Sequence, residues 1–293
     1  MAAVREWVAG ARPRTLPAAV SPVLVGTGAA AAVGSVVLHR ALLALVVALS
    51  LQVGVNYAND YSDGIRGTDA ERIGPFRLVG SGTASPANVR TAAFISFAVA
   101  CAAGLALVLL TGTWWLLVLG GLAVAAAWYY TGGSRPYGYL GFGEVSVFVF
   151  FGLVAVIGTT YVQVGRVTPA SVVGGVAIGC LACAILVVNN LRDLAGDARS
   201  GKHTLAVLLG SRRTRLLYAG LLTMAYALAI ALAVAGRPWA ALALLSAPLA
   251  ARTVRVVIRG AGGADLVPVL RDTATTELLY AVLMALGLAV SQD

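Results

Sequence analysis

Ala41-Leu-Leu-Ala-Leu-Val-Val-Ala-Leu-Ser-Leu-Gln-Val-Gly-Val55 runs directly into Asn56-Tyr-Ala-Asn59-Asp60-Tyr-Ser-Asp63-Gly-Ile-Arg66-Gly-Thr-Asp69-Ala-Glu71. The first part reads as an apolar helix. The second puts four acids into twelve residues, from Asp60 to Glu71, of a chain in which only 11% of residues are charged. If the helix continues, Asp60 and Asp63 share one face. A helix C-terminus already carries partial negative charge, so carboxylates gathered there call for a cation. An all-oxygen donor set of this density suits a hard divalent ion, magnesium foremost. A second cluster, Asn189-Asn190-Leu-Arg192-Asp193-Leu-Ala-Gly-Asp197-Ala-Arg199-Ser-Gly-Lys202, also ends an apolar run. Two acidic clusters mixed with Arg and Lys fit a site that holds metal ions and a polyanion together.

Working outward, the composition is that of a polytopic membrane protein: 59% of residues are hydrophobic, the mean hydropathy is +0.88, and a soluble domain carries roughly 25% charged residues. Nine spans can be drawn, at 15–33, 41–58, 92–111, 113–130, 142–162, 170–190, 214–235, 238–258 and 274–291. Each is close to the ~20 residues that cross ~30 Å of hydrocarbon. Ser85-Pro86 and Thr168-Pro169 pair a capping hydroxyl with proline at the first helical position. Arg5, Glu6, Arg12 and Arg14 interrupt the start before any apolar core, so no cleavable signal peptide is expected. The predicted fold is an all-helical transmembrane bundle forming a single domain, 1–293. The Asp clusters end spans two and six, which suggests two repeated four-helix units plus a ninth helix.

Basic residues set the expected orientation. With the N-terminus in the cytoplasm, eighteen Lys and Arg face inward and only Arg40, Arg166 and Arg237 face outward. Both acidic clusters then lie on the cytoplasmic side and the C-terminus lies outside. The same bias accounts for the net charge of +9 without nucleic acid. Cys180-x-x-Cys183 falls within an apolar run and reads as packing rather than redox chemistry.

The chemistry that fits is ionisation of a diphosphate ester, with magnesium and basic residues neutralising the leaving diphosphate. Arg77, Arg192, Arg199 and Lys202 are the basic candidates. The connection from Tyr129 to Glu144 is dense in tyrosine and glycine. Tyr139 could steady a cation, and Glu144, at the head of an apolar span, is a site candidate by position. Arg135, among those tyrosines, is a further candidate for binding substrate. A transporter would place its polar residues at mid-span, whereas here they cluster at one face. Asp60-x-x-Asp63-Gly64 also matches the opening of the CDP-alcohol phosphotransferase motif. That motif needs two further aspartates close by, and no acid follows Glu71 until Glu144.

Asn59-Asp60-x-x-Asp63 followed by Asp69, together with Asp193-x-x-x-Asp197, resembles the UbiA superfamily of membrane prenyltransferases. Three more stretches, 11–26, 138–144 and 189–206, are similar to its menaquinone-pathway branch. The resemblance implies a helical bundle around a lipid-facing tunnel, with Mg2+ and diphosphate at its cytoplasmic mouth. It implies metal-mediated diphosphate binding by Asp60, Asp63, Asp193 and Asp197, assisted by Asn59 and Lys202, with Asn190 beside them. Asp69 stands six residues after Asp63, where many members place the third acid four residues on. The implied reaction joins a polyprenyl group from its diphosphate to 1,4-dihydroxy-2-naphthoate, releasing carbon dioxide and diphosphate. 4-Hydroxybenzoate and homogentisate are the alternative acceptors within the superfamily.

Overall fold

The computed structural model describes residues 2–67 and 76–291, so Asp69, Glu71 and Arg72 lie outside the described residues. In chain order the helices are α1 (Val4–Gly10), α2 (Pro17–Ala31), α3 (Leu38–Arg66), α4 (Pro86–Thr111), α5 (Leu116–Tyr129), α6 (Gly143–Val164), α7 (Pro169–Arg199), α8 (Leu205–Val234), α9 (Pro238–Ile258) and α10 (Gly263–Val290). No strand occurs among the described residues. Seven of these helices, α3, α4 and α6 to α10, are long and apolar enough to cross a membrane. The two shorter apolar helices, α2 and α5, supply the first and fourth of the nine expected spans. At ~1.5 Å per residue they are shorter than the ~30 Å hydrocarbon core. Helix α2 starts late because Arg12 takes a left-handed φ of 54° and Pro13–Thr15 forms a separate 3₁₀ turn.

The expected caps are present. Ser85 Oγ accepts from the Asn88 N–H at 3.3 Å, and Thr168 Oγ1 accepts from the Ser171 N–H at 3.1 Å. The main departure is at the other ends. Helices α3 and α7 continue to Arg66 and Arg199, past the limits of 58 and 190 set by hydropathy, so both Asp motifs lie on helix rather than beyond it. Hydropathy marks where a chain leaves hydrocarbon, whereas a helix ends where its hydrogen bonds do. For α3 that is Gly67, whose φ of 70° closes the last turn.

Helix α7 is the hub. In its most apolar window 72% of residues are buried, against no more than 50% in any other spanning helix. It packs extensively on α8, as α3 packs on α4. Each pair begins with a helix that carries an Asp motif, in keeping with the expected repeat. Helix α6 widens to a π-helical stretch at Phe148–Val154. There it lies so close to α7 that a Cβ on Gly152 would come 2.5 Å from the Gly179 Cα.

Candidate active site

Asp63, on the last turns of α3, is 2% exposed and sits among three donors. Arg77 donates to its Oδ2 at 3.2 Å. Lys202 donates to its Oδ1 at 3.3 Å, and so does the Tyr139 hydroxyl. The Lys202 ammonium also lies 4.5 Å from the centre of the Tyr139 ring, within the ~6 Å at which a cation is attracted by an aromatic face. Arg66 approaches the same ring at 5.6 Å and donates to the carbonyls of Thr131 and Gly133. Burial, and then the charge of Asp63, push the Tyr139 phenol above its ordinary range, so it is a neutral donor at physiological pH.

Local sequence aims Tyr139. Pro136 leads into a 3₁₀ turn at Tyr137–Leu140 that Gly141 ends with a φ of 85°. The Tyr137 hydroxyl, 2.7 Å from the Ala126 carbonyl and 2.9 Å from Ser146 Oγ, ties the turn to α5 and α6. The His203 N–H donates to the Tyr139 carbonyl at 2.9 Å, so the turn also meets the segment after α7. Residues from both halves of the chain thus meet at one mouth.

Asp60 faces elsewhere. It is fully buried, and its two oxygens accept the backbone N–H groups of Leu78 at 2.7 Å and Val79 at 3.1 Å. It thereby fixes the loop that carries Arg77. Asp193 is held by Arg192 through Nε and Nη2, both at 2.7 Å. Asp63, Asp197, Asn59, Asn190, Arg77, Arg192 and Lys202 line a cavity of about 1080 Å³; Asp60 and Asp193 do not. Among the described residues no three His, Cys, Asp or Glu side chains form a metal-holding group. From this mouth the cavity continues between α2, α3, α4, α5 and α6 to Leu107, Leu116 and Val162, near the far ends of α4, α5 and α6. Its deep walls are almost wholly apolar.

The remaining candidates divide. Tyr139 lines the cavity. Glu144 lies behind the wall, where its Oε1 accepts from Asn190 Nδ2 at 3.0 Å. Asn59 Oδ1 accepts from Thr131 Oγ1 at 2.7 Å. Arg135 and Arg199 are exposed and absent from the cavity wall. Arg135 therefore does not face the cavity as its tyrosine-rich setting suggested; the turn points Tyr139 inward and leaves Arg135 on the outside. Arg12, Arg14 and Arg271 do line the cavity. Gln52 does too, a polar residue inside an otherwise apolar run, which is the signal by which sequence could have found it.

The profile of the UbiA prenyltransferase family matches residues 19–266. The chain belongs to that family. Across its whole length this UbiA-family protein is 55% identical, over 292 residues, to the Mycobacterium tuberculosis protein named 1,4-dihydroxy-2-naphthoate octaprenyltransferase. That alignment covers 100% of this chain and 99% of the relative. The Escherichia coli protein of the same name is 40% identical over 297 residues, covering 98% and 96% of the two chains. Among solved structures, a UbiA homologue from Aeropyrum pernix K1 superposes with a TM-score of 0.70 at 18% identity, covering 93% of this chain and 97% of that one. One from Archaeoglobus fulgidus, bound to GPP and Mg2+, gives 0.66 at 15% identity, covering 95% and 99%. The family fold, the seven long apolar helices and the two shorter ones make this a multi-pass membrane prenyltransferase.

Proposed function

We propose that the protein transfers a polyprenyl group from its diphosphate to 1,4-dihydroxy-2-naphthoate, giving demethylmenaquinone, carbon dioxide and diphosphate on the cytoplasmic side of the membrane. The observation that carries this reading is the full-length identity to the mycobacterial relative. The geometry agrees with it, since a cationic mouth opens into a long apolar cavity, as a charged head and an isoprenoid tail require. The acidic side chains at the mouth fit magnesium as shared with substrate: their ligating atoms are oxygens, and two carboxylates, Asp63 and Asp197, face the cavity. Mg2+ is ordinarily held by one or two carboxylates together with water and substrate phosphates rather than by a protein cage. When bound, the metal would neutralise charge on the diphosphate.

This chain's residues do the rest. Lys202 and Arg77 stand beside Asp63 to balance charge as the allylic C–O bond breaks and its electron pair goes to the diphosphate. Tyr139 fixes Lys202 and Asp63 relative to each other. A ring carbon of the acceptor forms the new C–C bond, and the electrons of the carboxylate bond return to the ring as carbon dioxide leaves. The apolar walls keep water from the allylic cation. Membranes incubated with Mg2+, a polyprenyl diphosphate and the naphthoate should form the prenylated quinol, with carbon dioxide and diphosphate appearing one for one. Chelation of the metal should stop turnover. Prenylation of 4-hydroxybenzoate or homogentisate, with no reaction of the naphthoate, overturns the acceptor assignment.

A further inference from the structure

Thr15 Oγ1 has one proton, and it goes to the Arg12 carbonyl at 2.9 Å. Towards α3 the same oxygen can therefore only accept. It does so twice, from Gln52 Nε2 at 3.0 Å and from Asn56 Nδ2 at 2.9 Å. The Gln52 amide is placed accordingly, an assignment made from the hydrogen-bond network. The nitrogen is held by Thr15 and the oxygen faces away from it. Gln52 is 7% exposed and lines the cavity. Among the described residues its buried Oε1 has no hydrogen-bond partner.

Buried polar atoms are nearly always partnered, and one left alone is costly. Gln52 is a wall residue of the cavity, and an unpartnered acceptor on such a residue calls for a ligand that donates. The isoprenoid tail carries no donor, and an ionised diphosphate only accepts. Of the reactants proposed above, only the dihydroxylated ring brings a hydroxyl proton. Its 1-hydroxyl lies beside the carboxylate and bonds to it internally, which leaves the 4-hydroxyl free. On a helix at ~100° per residue, Gln52, Asn56, Asn59 and Asp63 fall within a stripe ~60° wide, and all four line the cavity. One face of α3 thus leads from the diphosphate mouth to Gln52, beside the segment that carries Arg12 and Arg14.

We infer that Gln52 Oε1 accepts a hydrogen bond from the free ring hydroxyl of the aromatic acceptor, which makes Gln52 a specificity-determining residue. The inference rests on the acceptor class proposed above. The test is a cycle between protein and ligand, using purified full-length protein and equilibrium affinities for 1,4-dihydroxy-2-naphthoate and 1-hydroxy-2-naphthoate. The unaltered protein should prefer the dihydroxy compound by about tenfold, the size of one hydrogen bond to a neutral group. In Gln52→Met that preference should vanish, while the KM for the polyprenyl diphosphate stays within about twofold, as expected for a hydrogen bond the donor does not share. Gln52→Glu keeps an oxygen in place but loses the N–H that holds Thr15, so it should restore the preference. If Gln52 serves only to hold Thr15, or if water alone satisfies its oxygen, Gln52→Met keeps the unaltered preference. The inference then falls. Failure of the unaltered protein to prenylate the naphthoate at all is a separate result, which removes the functional reading and this inference with it.

Discussion

Asp63 and Asp60 are three residues apart on one helix, and they make different contacts. At ~100° per residue they point ~60° apart. That is enough to turn Asp63 to the cavity and Asp60 to the loop beneath it. Asp63→Asn should lower turnover on the order of 100-fold or more, the scale of losing one group that organises transition-state charge, while the protein stays folded. Asp60→Asn should instead show itself in stability. An amide offers one oxygen where two backbone N–H groups need acceptors, and a buried donor left alone costs about 1–3 kcal/mol. Thermal unfolding in detergent and turnover in membranes, measured on both variants, separate the two roles. Equal stability loss in both would mean that Asp63 too is mainly structural. The site was legible in sequence as far as its chemistry: acids, amides and cations stood out against an apolar chain. The division of labour was not, because it depends on Leu78 and Val79 folding back against α3. Nor does sequence alone show that Asp193 clamps Arg192 or that the turn before α6 leaves Arg135 outside.

Among elements, the long apolar runs foretold the membrane-crossing parts of α3, α4 and α7, since hydrocarbon thickness fixes their minimum length, but not where α3 and α7 end. Helices α2 and α5 came out shorter than drawn, because a proline turn at Pro13 and the Thr111-Gly112-Thr113 reversal use up residues that hydropathy counts as span. Hydropathy is equally blind to the contact between α6 and α7. There glycine brings two backbones together, and the π-helical stretch of α6 lies on that contact. Gly152→Val should therefore be strongly destabilising: its Cβ would stand 2.5 Å from the Gly179 Cα and 2.7 Å from the Gly175 carbonyl oxygen. Backbone cannot move aside as a side chain can, so a cost of about 1–3 kcal/mol or more is expected. A control at Gly158, where a Cβ meets nothing within 4 Å, should cost much less. Similar melting temperatures for Gly152→Val and Gly158→Ala would refute the close contact.

For the whole molecule, the remaining question is which way it faces. By the topology expected from sequence, the basic residues divide eighteen to three between the two sides. The structure accounts for two of the three exceptions. Arg40 donates to the carbonyls of Val162 at 2.9 Å and Leu110 at 3.1 Å, near the C-terminal ends of α6 and α4. Arg237 donates to the carbonyl of Ala32, just past α2, at 3.0 Å, and to that of Ser291, just past α10. Both satisfy orphan carbonyls at helix C-termini, where a cation is also favoured by the helix dipole. They are therefore placed by structure and weaken the orientation argument little. Asp63, Asp197, Lys202 and Arg77 all lie at the opposite end, with the majority of the basic residues. If that end is cytoplasmic, Ser200→Cys should react with an impermeant thiol reagent only in inside-out vesicles. Arg166→Cys should react only in right-side-out ones. Both need a background without Cys101, Cys180 and Cys183, because Cys101 is exposed on the helix surface. Labelling of Ser200→Cys from the outside would place the diphosphate mouth away from the cytoplasm, and a donor made there could not reach it.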